Sequence, residues 1–161
     1  MNMLAEIKQQ NNKTVVELNR DFPYPIETVW QMITDNAYLA KWFNELRIES
    51  LSEGGKIVFD LGNGHFEEMT ITQVKVPTVL TFTWDKELVS FQLNETAESS
   101  THLIFKEFID TVTEHTPRDI AGWHVCLDVI RALLDGQTDV TNEKKQWESL
   151  YPKYKELFQI Q

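Results

Sequence analysis

Cys126 is the only cysteine in the chain, so no internal disulfide can form and stability has to come from packing. Basic clusters are missing as well. A formal net charge of −10 repels a phosphate backbone, and neither DNA nor RNA is expected as a partner. No apolar run approaches the roughly 20 residues of a membrane span, and the start MNMLAEIKQQNNK has no apolar centre of the signal-peptide kind, so a cytoplasmic location is expected. His65, His102, His115 and His124 are scattered without metal-ligand spacing, and no metal or cofactor is expected. Gly54-Gly55 and Gly62-Asn-Gly64 form neither GxGxxG nor a P-loop, and no serine stands in a nucleophile elbow. With no catalytic signature, the chain reads as a binding protein sooner than an enzyme.

What is present suits one globular domain over residues 1–161, with a core at 14–134 and a helical extension at 139–161. A polar N-terminal arm precedes TVVELNRDF, a strand with Val16 and Leu18 on one face. Pro25 suits a helix start, and Ile26, Val29, Trp30 and Ile33 share one face of a short helix. Asp35 caps a second short helix carrying Tyr38, Leu39, Trp42 and Phe43. Between Leu46 and Phe108, turn signals at residues 53–55, 62–64, 76–78, 85–86 and 97–100 separate five or six antiparallel strands. Their alternation puts Ile57, Phe59 and Leu61, then Leu80, Phe82 and Trp84, then Val89, Phe91 and Leu93, then Leu103 and Phe105 on one apolar face. Thr116 to Leu134 is a long helix with Ile120, Trp123, Leu127, Ile130 and Leu134 in a stripe, ended by Gly136. Trp147, Leu150, Tyr151, Tyr154, Leu157 and Phe158 repeat at helical spacing, with a break expected at Pro152 because an interior proline costs about 3 kcal/mol.

This order is α+β, the helix-grip arrangement: a curved antiparallel sheet wrapped around a long C-terminal helix, with two short helices after the first strand. Local motifs narrow it. Pro25-Ile-Glu-Thr-Val29-Trp30, Ala37-Tyr-Leu39-Ala-Lys41-Trp42-Phe43, Gly54-Gly55-Lys56, Val76-Pro77-Thr-Val-Leu80-Thr-Phe82-Thr-Trp84 and Gly122-Trp123 with Leu127-Asp128 resemble the activator of heat-shock-protein-90 ATPase homologue family of the SRPBCC (START-like) superfamily. The resemblance spans about residues 14–134. It departs at Phe66-Glu67-Glu68-Met69, where members often carry a glycine, which leaves the local register open.

The resemblance implies a cavity between sheet and long helix that takes a small hydrophobic ligand. From the inward faces its walls would be Trp42, Phe59, Phe66, Met69, Ile71, Trp84, Phe91, Phe105, Trp123 and Leu127, with Gln73, Glu107 and His124 as polar groups able to orient a ligand. The same side chains would equally form a filled core. Two further functions follow from the resemblance: a chaperone-associated domain that contacts a heat-shock-protein-90 ATPase, and a cyclase- or dehydratase-like enzyme using the same cavity. The extension could close its own domain or meet a second copy, so monomer and homodimer both stay open.

Overall fold

The computed structural model describes residues 3–137 and 142–159; the first residues of the expected extension, 139–141, and its last two lie outside them. The described order is β1 (Glu6–Gln10), β2 (Lys13–Phe22), α1 (Ile26–Thr34), α2 (Asn36–Trp42), β3 (Leu46–Ile48), β4 (Lys56–Gly62), β5 (His65–Lys75), β6 (Val79–Trp84), β7 (Glu87–Ala97), β8 (Ser100–Ile109), α3 (His115–Leu134) and α4 (Glu143–Leu157). The eight strands form an antiparallel sheet in the order β1-β2-β8-β7-β6-β5-β4-β3. The first core strand therefore lies beside the last, and α1 and α2 carry the chain from β2 across to the far edge, as the helix-grip reading requires.

Strand β2 pairs with β8 so that Val16 faces Glu107 and Leu18 faces Phe105, and β7 adds Val89 and Phe91 against the same two residues of β8. This regular stretch delivers Leu18, Leu103, Phe105, Val89 and Phe91, all at most 1% exposed, to one face. Helix α3 covers it with Ile120, Trp123, Leu127 and Ile130. The helix stops where Gly136, at φ +88°, takes the left-handed conformation that glycine adopts at little steric cost. Its N–H and that of Gln137 then close on the carbonyls of Leu133 and Ala132 at 3.0 Å each.

At the other end, Asp35 accepts from the Ala37 N–H at 3.0 Å and starts α2. The Trp42 Nε1–H donates to the Met32 carbonyl at 2.8 Å, which ties α2 to α1. The Asn36 amide pairs with both backbone groups of Ile48 at 2.8 Å, so the three-residue strand β3 is held by a side chain as well as by β4.

Three expectations are corrected, and the register left open at residues 66–69 is defined. The N-terminal arm contains a strand, β1, which turns into β2 through Asn11 and Asn12 at φ 52° and 66°. Leu61 leaves the core face and is 53% exposed, next to a register shift between Asp60 and Gly62. No irregularity falls at residues 66–69; the other shift in β5 lies between Ile71 and Gln73. Helix α4 runs through Pro152. Pro152 and Glu148, whose carbonyl loses its N–H donor, are both exposed and the carbonyl can take water, while buried Leu150 and Tyr154 anchor the helix on either side.

Candidate functional site

The space between sheet and α3 is occupied by aromatic rings. Trp123 packs on Phe105 at 4.8 Å between centroids, Trp84 at 5.0 Å, Phe43 at 5.8 Å and Phe91 at 6.0 Å, and Phe43 reaches Phe59 and Trp84 at 5.7 and 5.9 Å. Met69, Ile71, Phe91, Phe105 and Leu127 lie in this buried cluster, with Phe59 packed against it. Phe66 is 60% exposed on the β4–β5 hairpin and does not reach it.

An opening lies at the edge of the cluster: a cleft of about 480 Å³ walled by the end of α2, the flank of α3 and the start of α4. Of the ten expected wall residues, Trp42, Trp84 and Trp123 border it. Phe43, Arg118, Asp119, Gly122, Cys126 and Trp147 complete much of the wall and are not among those expected. Helix α4 is what closes the cleft on that side. It docks on α3 through the Trp147 Nε1–H to the Arg118 carbonyl at 3.1 Å, the Arg118 Nε–H to the Tyr151 hydroxyl at 3.3 Å, and a hydrogen bond from the Gln146 amide to Asp128. Burial pushes the Cys126 thiol above its ordinary range, which keeps it protonated and inert as a nucleophile.

The three expected polar groups separate into three places. The register shift between Ile71 and Gln73 leaves Thr72 as an extra residue, so Gln73 pairs with Thr81 and turns to the outer face of the sheet. There it lines a groove with Thr72, Thr81 and Ser90.

His124 sits in the seam between β2, α3 and α4. Its Nε2 lies 3.4 Å from the Arg20 guanidinium, which can only donate; the ring proton therefore rests on Nδ1 and points to the Tyr154 hydroxyl at 2.7 Å. The same hydroxyl accepts the Ala5 N–H at 3.0 Å. Burial pulls the imidazole down from 6.5 to about 4, so it is neutral at physiological pH. Tyr154→Phe would strand two buried donors, and a loss of about 1–3 kcal/mol is expected from urea unfolding. A loss below about 0.5 kcal/mol would show that water or a rearranged α4 satisfies them.

Glu107 remains inward, as alternation along β8 implies, and is 1% exposed. It meets Glu87 from the start of β7 and Asp119 from α3, with one carboxylate oxygen of each within 4.8 Å of the other two. Burial first, and then the two neighbouring carboxyls, hold the Glu107 carboxyl well above its ordinary range; burial likewise raises Asp119. The Trp84 Nε1–H donates to Asp119 Oδ1 at 3.1 Å, which links this trio to the aromatic cluster. Asp119 borders both the 480 Å³ cleft and a neighbouring pocket of about 330 Å³. Among the described residues no helix is long and apolar enough to cross a membrane.

The profile of the family described as Activator of Hsp90 ATPase homolog 1-like protein matches residues 23–135. No curated protein matches the chain. Among solved structures the chain is similar to a conserved protein of unknown function from Enterococcus faecalis, with 27% identity, a TM-score of 0.85 and coverage of 96% of this chain and 90% of that one. It is also similar to a protein from Bordetella parapertussis, at 21% identity and TM-score 0.74, covering 96% and 90%. CalU16 from Micromonospora echinospora is 18% identical with TM-score 0.72, covering 96% and 98%. The last two likenesses show the fold alone.

Proposed function

Because the chain belongs to the Activator of Hsp90 ATPase homolog 1-like family, whose helix-grip fold presents an aromatic cleft here, we propose that it binds a small hydrophobic molecule, aromatic in character, in that cleft. The site is the opening beside α3 and not the interior between α3 and the sheet, which rings already fill. Its volume of about 480 Å³ falls within the roughly 300–1,000 Å³ of small-molecule sites. Four indoles, Trp42, Trp84, Trp123 and Trp147, border it; the half-buried Trp84 and Trp147 keep accessible ring surface for stacking.

The observation that carries the reading is Gly122. An interior helical glycine costs roughly 0.5–1 kcal/mol relative to alanine. Here its φ is not positive, and an added Cβ would meet nothing within 4 Å, so neither backbone conformation nor close packing calls for glycine. What the missing side chain leaves is room in the cleft wall.

Gly122→Ala is therefore expected to raise stability by about 0.5–1 kcal/mol, whereas Gly122→Leu keeps the fold and fills the cleft. Thermal-shift and tryptophan-fluorescence titrations with fatty acids, flavonoids, sterols and polyketide-like aromatics should find a saturable ligand for the wild type, because selective binding to the folded state must stabilise it. Gly122→Leu should weaken that ligand at least tenfold. Equal binding by both proteins would move the site elsewhere. A wild type that responds to nothing in the panel would sink the ligand reading and favour a protein partner, the chaperone suggested by the family's description.

A further inference from the structure

We propose that Glu87, Glu107 and Asp119 form a binding site for a hard divalent cation of the Ca²⁺ or Mn²⁺ kind. This stands apart from the ligand reading and needs no occupant in the larger cleft.

The three carboxylates come from three elements. Glu87 and Glu107 are neighbours on the inner face, since Val89, two residues after Glu87, pairs with Glu107. Asp119 descends on them from the first turns of α3, one turn before Trp123. Among the described residues no Lys, Arg or His lies within ion-pair distance of any of them. The nearest cation on the same helix, Arg118, is turned to Tyr151, over whose ring it lies at 5.3 Å. Glu107 Oε1 is buried with no hydrogen-bond donor among the described residues, and a carboxylate oxygen of the same side chain belongs to the cluster. Three carboxylates this close, two of them largely shielded from water, cannot all stay ionised without a positive charge among them.

The geometry suits an ion. Ca²⁺ takes oxygen ligands at roughly 2.3–2.6 Å, so ligands on opposite sides of it lie about 4.6–5.2 Å apart, with adjacent ones closer. No two of these oxygens exceed 4.8 Å. An all-oxygen donor set selects Ca²⁺, Mg²⁺ or Mn²⁺ over thiolate-seeking metals. The adjoining pocket of about 330 Å³, bordered by Glu87, Asp119, Asp85, His115 and Arg118, gives the ion a way in and room for its water ligands.

Trp84 makes the site its own reporter, because its Nε1–H donates to Asp119 and its indole can sensitise bound Tb³⁺. The test uses the full chain, stripped with EDTA and titrated with Tb³⁺ under excitation of tryptophan, then with Ca²⁺ and Mn²⁺ as competitors. One saturable Tb³⁺ per chain is expected, displaced by Ca²⁺ or Mn²⁺ and accompanied by a rise in Tm. Glu107→Gln keeps size and shape while removing the central charge, and should weaken Tb³⁺ at least tenfold; Asp119→Asn should do the same. Glu67→Gln, on the exposed β4–β5 hairpin, should leave it unchanged. The proposal is overturned if sensitised emission is absent, or if it persists undiminished in folded Glu107→Gln and Asp119→Asn, as judged by near-ultraviolet circular dichroism. In either case the trio holds its charge down by binding protons alone.

Discussion

Trp123→Ala is expected to lower stability by about 3–5 kcal/mol, a large share of the roughly 5–15 kcal/mol that holds a domain folded. Trp123 is 2% exposed and its ring touches Phe43, Trp84, Phe91 and Phe105, which arrive from the end of α2, β6, β7 and β8. Removing it opens a void where the long helix, the sheet and the end of the tandem helices meet, and rigid ring neighbours cannot collapse far into it. For a domain of this size the loss corresponds to a fall in Tm of roughly 10 °C or more. Trp123→Phe divides the effect into parts. It loses some volume but also removes the buried Nε1–H that has no acceptor, and relief from an orphan donor is worth about 1–3 kcal/mol. A net change near zero is expected for Phe, against the large loss for Ala. A loss below about 1.5 kcal/mol for Ala would mean that Trp123 behaves as a wall of the open cleft and not as the centre of the core.

That distinction marks where the sequence stops being informative. Period-3.6 and period-2 patterns locate α1, α2, α3 and β4 to β8 because each buries one face, and a buried face leaves an apolar mark at fixed spacing. Strand β1 leaves no such mark: four of the five residues of Glu6–Gln10 are exposed, and the Asn11-Asn12 turn is its main signal. Alternation places Glu107 correctly because β8 is regular throughout its pairing with β2. It misplaces Gln73 because one extra residue in β5 reverses every later side chain, and counting by twos cannot detect the insertion. Apolar character alone turns Phe66 inward, although it pairs with Asp60 and is one residue out of phase with buried Met69 and Ile71, on the other face of the sheet. Whether aromatic residues fill a core or line a cavity is left open by composition, since both need the same side chains; the answer depends on centroid separations of about 5 to 6 Å that only the packed chain defines. Asp119 is legible in principle, four residues before Trp123 and hence on the same helical face. Its signal is hidden among the charged residues of a polar first turn.

Acidification is expected to remove about 3 kcal/mol of stability through His124 alone as pH falls from 6.5 to 4. The sign follows from which state takes up the proton. The unfolded chain protonates the imidazole near its ordinary value of 6.5, whereas the folded chain resists until about 4. Stability is therefore full above pH 6.5, declines across the interval, and levels off below it. Burial is the main cause, and Arg20 on β2 and Lys153 on α4 add to it. Asp128, 3.6 Å from Nε2, works the other way and tempers the effect. Protonation would also turn Nε2 from an acceptor into a donor facing the Arg20 guanidinium, so the contact that fixes α3 to β2 becomes repulsive. Glu107 and Asp119 titrate in the opposite sense: their raised carboxyls favour the folded state on acidification, so the wild-type curve alone mixes the two. His124→Gln separates them. It is expected to be less stable than wild type at pH 7.5, yet its decline between pH 6.5 and 4 should be shallower by most of the 3 kcal/mol, because the carboxylates common to both proteins cancel in the difference. Parallel urea-unfolding curves for the two proteins across that range would show instead that the seam opens to water before His124 titrates, and that α4 is held by Trp147 and Leu150 and not by the Tyr154 hydroxyl.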